Sequence, residues 1–186
     1  MILVVNLCKE KMHELEFVKP VCDVLERMGN DYSVRHYLRL KKGDLDAEKI
    51  ILCGTSLRDF GYLKHLRMFD WLRDYQGDVL GICGGAQILV QISGGSVFRS
   101  QEIGKVLVKR KEEFLGFPEE FFVYGLHNLG IKSPEGFQVV ASSSEGAQII
   151  LRKEKNRGRL LLGVLFHPEV LNPFFIENFC KQRHEV

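Results

Sequence analysis

Three side chains in this sequence are of the types, and in the settings, that acyl transfer needs. Gly81-Ile82-Cys83-Gly84-Gly85 has the form of a nucleophile elbow, in which glycines let a strand turn sharply into a helix. The thiol then sits at the apex of the turn, where unpaired N–H groups and the helix dipole favour the thiolate. The N–H of Gly84 is suited to receive the oxyanion of a tetrahedral intermediate. Alone, the motif is equally that of a small buried cysteine before a glycine-rich turn. His167-Pro168-Glu169 shifts the balance, because it follows directly on an apolar strand, Gly163 to Phe166. Residues two apart in an extended segment share a side, so His167 and Glu169 can face one site. Glu169 would orient the imidazole, and His167 would exchange protons with Cys83. A surface histidine before a proline turn is the competing interpretation.

A third feature is Ile50 to Ser56. An apolar strand there ends in Gly54 and then small hydroxyl residues, which leaves backbone N–H groups at Gly54 and Thr55 free to complete an oxyanion pocket. It could equally be a plain turn, with Thr55 or Ser56 capping the next helix.

The elements that must position these groups can be read from hydrophobic spacing. Ile2 to Leu7 suits a strand buried on both faces of a parallel sheet. Leu15, Val18, Val21, Cys22, Leu25 and Met28 recur at helical spacing up to the stop at Gly29-Asn30. Tyr32 to Tyr37, Ile50 to Cys53 and Val79 to Ile82 read as further strands, Leu57 to Tyr75 as a helix or helix pair, and Ala86 to Ile92 as a helix. Beyond Gly95 come strands at Val106 to Val108, Phe121 to Tyr124, Gln138 to Ala141, Ala147 to Leu151 and Leu160 to Phe166. A closing helix from Asn172 would have Pro173 at its first position and bury Phe174, Phe175 and Phe179. The expected fold is a single α/β domain over 1–186, with a mostly parallel central sheet flanked by helices and an antiparallel strand addition.

Composition excludes several function classes. The chain has 186 residues, 45% hydrophobic and 27% charged, which is globular rather than disordered. A net charge of +2 gives no nucleic-acid or membrane surface. No apolar run reaches membrane-span length, and the N-terminus lacks the parts of a signal peptide, so a cytoplasmic location is expected. Five cysteines without a CxxC pair imply reduced thiols and neither a disulfide framework nor a zinc site. Cys53 ends a strand expected beside the one leading to Cys83; simple packing is preferred to a disulfide between them. His13, His36, His65, His127 and His184 lack metal-ligand spacing and read as surface or core histidines.

With these residues in place, the chain resembles the triad (class I) glutamine amidotransferase family over nearly its full length. The resemblance rests on Gly81 to Gln87, on Gly163 to Glu169 and on their separation, with weaker support from Leu126-His127-Asn128-Leu129 and from Phe174 to Phe179. It implies a flavodoxin-like fold and hydrolysis of glutamine to glutamate and ammonia through a cysteinyl thioester, without metal or cofactor. It also implies that Gln87 helps hold substrate, that backbone groups near Asn128 and Leu129 meet its amino-acid end, and that the ammonia passes to a separate synthetase subunit. The small subunit of a two-chain GMP synthase is the first expectation; anthranilate, aminodeoxychorismate and carbamoyl phosphate synthases use similar subunits. Two departures stand out. The family's elbow usually has a larger residue where Gly84 stands, and its first oxyanion loop is Gly-Gly-Pro where this chain has Gly54-Thr55-Ser56. A threonine there is expected to restrict the oxyanion peptide and keep activity low until a partner or substrate rearranges the loop. The alternatives are a γ-glutamyl hydrolase or peptidase with the same triad, favoured by wide access, and a degenerate regulatory subunit.

Overall fold

A computed structural model describes residues 1–114, 116–154 and 158–182; His184 lies outside them. The chain opens with β1 (Ile2–Asn6), buried throughout, and continues through α1 (Lys11–Phe17), α2 (Lys19–Arg27), β2 (Tyr32–His36) and β3 (Lys49–Leu52). The single helix expected over Leu15 to Met28 is two, broken at Val18, because Pro20 in the first turn of α2 restricts the residues before it. Next come α3 (Gly61–Lys64), a 3-10 segment at Leu66–Arg73, β4 (Asp78–Ile82) and α4 (Gly84–Ile92).

The second half holds a long ribbon of β5 (Ser96–Arg110) and β6 (Glu120–Lys132), then β7 (Gln138–Ser143), β8 (Gly146–Glu154) and β9 (Arg159–Val164). It closes with α5 (Pro168–Leu171) and α6 (Phe174–Lys181). In α6, Phe175 and Phe179 are fully buried as expected, but Phe174 is 37% exposed and Pro173 caps the helix rather than opening it.

Among the described residues one nine-stranded sheet runs in the order β2-β1-β3-β4-β9-β8-β7-β5-β6. The run from β2 to β9 is parallel and the rest antiparallel, so the antiparallel addition is as extensive as the parallel core. Alternation along the parallel strands divides the core between two faces. Leu3, Val5, Ile50 and Leu52 pack with Tyr37, Phe69 and Leu72, while Val4, Ile51, Leu80 and Val164 pack with Val21, Leu25, Phe175 and Phe179. Helix α4 is buried over nearly its whole length, which holds the elbow at its N-terminus firmly against the sheet. No helix of the described residues is long and apolar enough to cross a membrane.

Candidate functional site

Adjacent parallel strands bring the two catalytic candidates together. Ile82 of β4 pairs with Val164 of β9, so Cys83 and the segment leading to His167 leave the sheet at the same end. The elbow is fastened to that neighbour by a hydrogen bond from Cys83 N–H to Val164 O, 2.7 Å. Cys83 has φ 47° and ψ −100°, the only positive φ on a non-glycine residue among those described. Such strain persists only where surrounding structure enforces it, and here it turns the thiol out of the strand line at the start of α4. A Cβ on Gly85 would collide with the Leu52 carbonyl, so glycine lets the helix start close to β3. The N–H groups of the first turn, Gly84 included, have no partner within the helix.

His167 and Glu169 meet as expected, though by a different local geometry. Beyond His167 the chain is not extended: Pro168–Leu171 forms one helical turn with His167 as its N-cap. That turn still brings Glu169 Oε1 to 2.8 Å from His167 Nδ1. With Nδ1 engaged, Nε2 is the nitrogen left for the thiol; it is buried and has no other hydrogen-bond partner among the described residues. Phe17 packs on the imidazole at 5.4 Å between ring centroids. Gly54 also lies against the ring, so close that a Cβ there would be 2.5 Å from His167 Cε1. Glycine is thus needed at position 54 for the approach of the imidazole and not for its φ, since neither Gly54 nor Thr55 has a positive φ. The threonine at 55 therefore sits in the loop without backbone strain.

Charge is concentrated and shielded here. Cys83 is 4% exposed and His167 1%. Burial lowers the imidazole pKa, but Glu169 and Cys83 outweigh it and hold the pKa well above the ordinary 6.5. Because the folded pKa is raised, the imidazolium's contribution to stability is complete below about pH 6.5 and is lost as pH climbs through the folded value. Thermal melts of the wild type and His167→Gln across pH should therefore differ most on the acid side. A gap that is constant with pH would mean that the resting imidazole is neutral.

Strand β6 forms the facing wall, as the ribbon folds back over the ends of β4 and β9. Tyr124 O accepts from His167 N–H at 2.9 Å, and Leu126 O accepts from the Cys83 thiol at 3.6 Å. Gln87 is 2% exposed and its amide is engaged at both ends: Nε2 donates to Leu129 O at 3.0 Å and Oε1 accepts from Tyr62 OH at 2.5 Å. Asn128 Nδ2 donates to Leu57 O at 3.0 Å, tying the wall to the loop after β3. The expected binding residues therefore assemble, with Gln87 and Leu129 bonded to each other rather than presented freely. An open cleft of about 770 Å³ runs along Asn128 and Leu129, between Phe60, Arg99, Gln101 and Glu145.

Several participants carry no local motif. The Tyr62 ring covers Gly84, filling the space above the elbow. His127, anticipated only as a surface or core histidine, is buried with Nε2 3.0 Å from Glu102 Oε2, and Gln148 donates to the same oxygen. This cluster fastens β6 behind Leu126. Burial raises the Glu102 pKa, but hydrogen bonds from His127, Ser143 and Gln148 prevail and set it below the ordinary 4.5. Its stabilising contribution is thus present above about pH 4.5 and lost as pH falls through the folded value. Glu102→Gln should narrow the stability gap to wild type in acid; a gap that widens there would contradict the ionised carboxylate.

Cys53 and Cys83 are both free thiols, and burial holds the Cys53 pKa well up. No group of three or more metal-ligating side chains occurs among the described residues.

Comparison with known proteins bears on this geometry. The family model for class-I glutamine amidotransferase matches residues 13–180. A glutamine-hydrolysing GMP synthase subunit of Methanococcus maripaludis is 39% identical over 115 residues, 56% of this chain and 59% of that one. The GMP synthase of Thermosipho africanus is 37% identical over 122 residues, 61% of this chain and 23% of that enzyme. The chain thus spans less than two thirds of the length of either curated relative. A candidate GMP synthase subunit from Thermoplasma acidophilum superposes with a TM-score of 0.82 at 27% identity, over 96% of this chain and 90% of that one. A glutamine amidotransferase from Thermotoga maritima shares the fold with a TM-score of 0.69 at 20% identity, over 90% of this chain and 75% of that one.

Proposed function

Because the chain belongs to the class-I glutamine amidotransferase family, we propose that it hydrolyses glutamine to glutamate and ammonia, with Cys83 as nucleophile, His167 as its base and Glu169 as the orienter. The observation that carries this reading is the bond between His167 Nδ1 and Glu169 at the same sheet end as the strained elbow. The Cys83 thiolate adds to the side-chain carboxamide carbon, and the oxyanion is received by N–H groups of Gly84 and of the Gly54-Thr55 loop. His167 gives its proton to the departing ammonia. Water then attacks the γ-glutamyl thioester, passes a proton to the same imidazole and releases glutamate, restoring the thiolate. Glu169 keeps Nε2 directed at the reaction throughout.

Free ammonia is mostly protonated at neutral pH and escapes to solvent, so the product needs an acceptor nearby. Relatives named as GMP synthase subunits support a separate synthetase chain as that acceptor, with GMP synthesis the first pathway to test. Exposed Ile103, Leu107 and Phe122 lie on one face of the β5–β6 ribbon, which suits contact with another protein. The peptidase alternative requires wide access to the thiol, and a 4% exposed Cys83 argues against it. The test is glutamate and ammonia release from glutamine by the full chain, alone and with a GMP synthase synthetase subunit, beside γ-glutamyl peptides. Glutamine is expected to be preferred; faster turnover of the peptides would overturn the reading.

A further inference from the structure

The loop that carries Gly54 and Thr55 is fastened from behind by a carboxylate with no part in the proposed chemistry. Asp59 is 7% exposed and, among the described residues, has no ion-pair partner. Burying such a group is costly unless hydrogen bonds compensate. Three do. Oδ2 accepts from Lys9 N–H at 2.6 Å and from Thr55 Oγ1 at 3.0 Å, and Oδ1 accepts from Gly61 N–H at 3.1 Å. The donors come from the segment after β1, the loop after β3 and the start of α3, so one side chain fixes three pieces of chain together. Asp59 also donates its own N–H to Ser56 O at 2.9 Å, which closes the loop on itself.

This matters at Thr55 because the preceding residue is glycine. The peptide joining Gly54 to Thr55 has little intrinsic resistance to rotation on its glycine side. Its Thr55 N–H donates to no group among the described residues, and neither does that of Gly54. A charge-assisted bond from the threonine hydroxyl is the stronger restraint beside that peptide plane. The Gly54 carbonyl is met more weakly, by the Cys8 thiol at 3.9 Å.

We propose that Asp59 is a positioning residue, which holds the Gly54–Thr55 peptide through the Thr55 hydroxyl so that its N–H points at the oxyanion formed on Cys83. The proposal rests on the glutaminase reading above. Groups aimed at charge that develops only in the transition state act on kcat and leave substrate binding nearly unchanged. A purely structural Asp59, acting only as an anchor for Lys9 and Gly61, would change melting temperature and leave kcat alone.

The experiment is steady-state glutamine hydrolysis by the full chain, alone and in the presence of a GMP synthase synthetase subunit, for Thr55→Val, Thr55→Ser and Asp59→Ala. Thr55→Val removes one hydroxyl from a side chain of the same shape and leaves the Lys9 and Gly61 bonds intact. Its kcat should fall about 10- to 100-fold, short of the loss of a whole oxyanion donor, with KM within about twofold. Thr55→Ser should recover most of that kcat, and Thr55→Val should cost nothing further in an Asp59→Ala background. Alkylation of Cys83 by iodoacetamide forms no oxyanion, so its rate should match wild type in Thr55→Val. An unchanged kcat in Thr55→Val, an equal fall in Thr55→Ser, or an effect confined to KM would overturn the proposal. A wild-type chain that iodoacetamide labels at Cys83, yet that releases no ammonia even with the synthetase subunit, would overturn the glutaminase reading and this proposal with it.

Discussion

Cys83→Ala is expected to lower glutamine hydrolysis by about 10⁴-fold or more while leaving the fold intact. The size of the loss follows from the role, because a nucleophile cannot be replaced by orientation or oxyanion binding alone. The fold should survive for a reason specific to this elbow. Cys83 already places an L side chain at φ 47°, so alanine inherits the same backbone strain and adds none. The polar interactions that the substitution removes are the thiol bond to Leu126 O and the contact of the sulfur with His167. Glutamate release measured beside thermal unfolding separates the two effects. A residual rate within tenfold of wild type would require a different nucleophile, and the other thiols are poorly suited: Cys53 is fully buried, and burial pushes Cys8, Cys22 and Cys180 up to about 11.

The second large effect is expected at Gly54→Ala. The added methyl carbon would lie 2.5 Å from His167 Cε1 and 3.1 Å from Nδ1, well inside van der Waals distance. Either the loop or the imidazole must withdraw. The imidazole is confined by Phe17 on one side and by its bond to Glu169 on another, so withdrawal shifts Nε2 relative to Cys83. A displacement of about 1 Å at reacting atoms typically costs about 100-fold, and kcat should fall by that order. Overpacking should destabilise the chain by only about 1–3 kcal/mol, so a folded and nearly inactive protein is expected. If Gly54→Ala keeps wild-type kcat, the imidazole does not rest on this loop during catalysis.

The parts of the site legible in the sequence are those carried by short continuous motifs. Cys83 with its glycines and His167 with Glu169 are recognisable because strand, turn and side-chain order coincide within a few residues. The buried strands at Ile2 and Val79 are equally plain, since burial on both faces leaves an unbroken apolar run. The ribbon is harder. Only Val106 to Val108 stands out in β5, because most of the rest of that strand is exposed or half-buried, with a register shift between Arg99 and Glu102. The segment from Leu57 to Tyr75 reads as helical from its apolar spacing, yet only short helical turns form, as the chain there bends to pack Tyr62 over Gly84. Asp59, Tyr62 and the Glu102–His127 pair lie beyond local reading altogether. Their partners are far along the chain, and a lone carboxylate or tyrosine in sequence does not announce what it will meet. His127 is flanked by the right neighbours, but its burial depends on β5 and β8, and only the assembled sheet supplies those.

The pairing of β4 with β9 also sets an order in time. The strand that carries the thiol emerges from a ribosome well before the strand that carries its base, and β9 is the last of the nine to be made. An unfinished chain therefore holds Cys83 without His167 beside it and without the Val164 carbonyl that tethers the elbow. Under the proposed mechanism, a chain cut before β9 carries the nucleophile without its base and is expected to leave glutamine untouched.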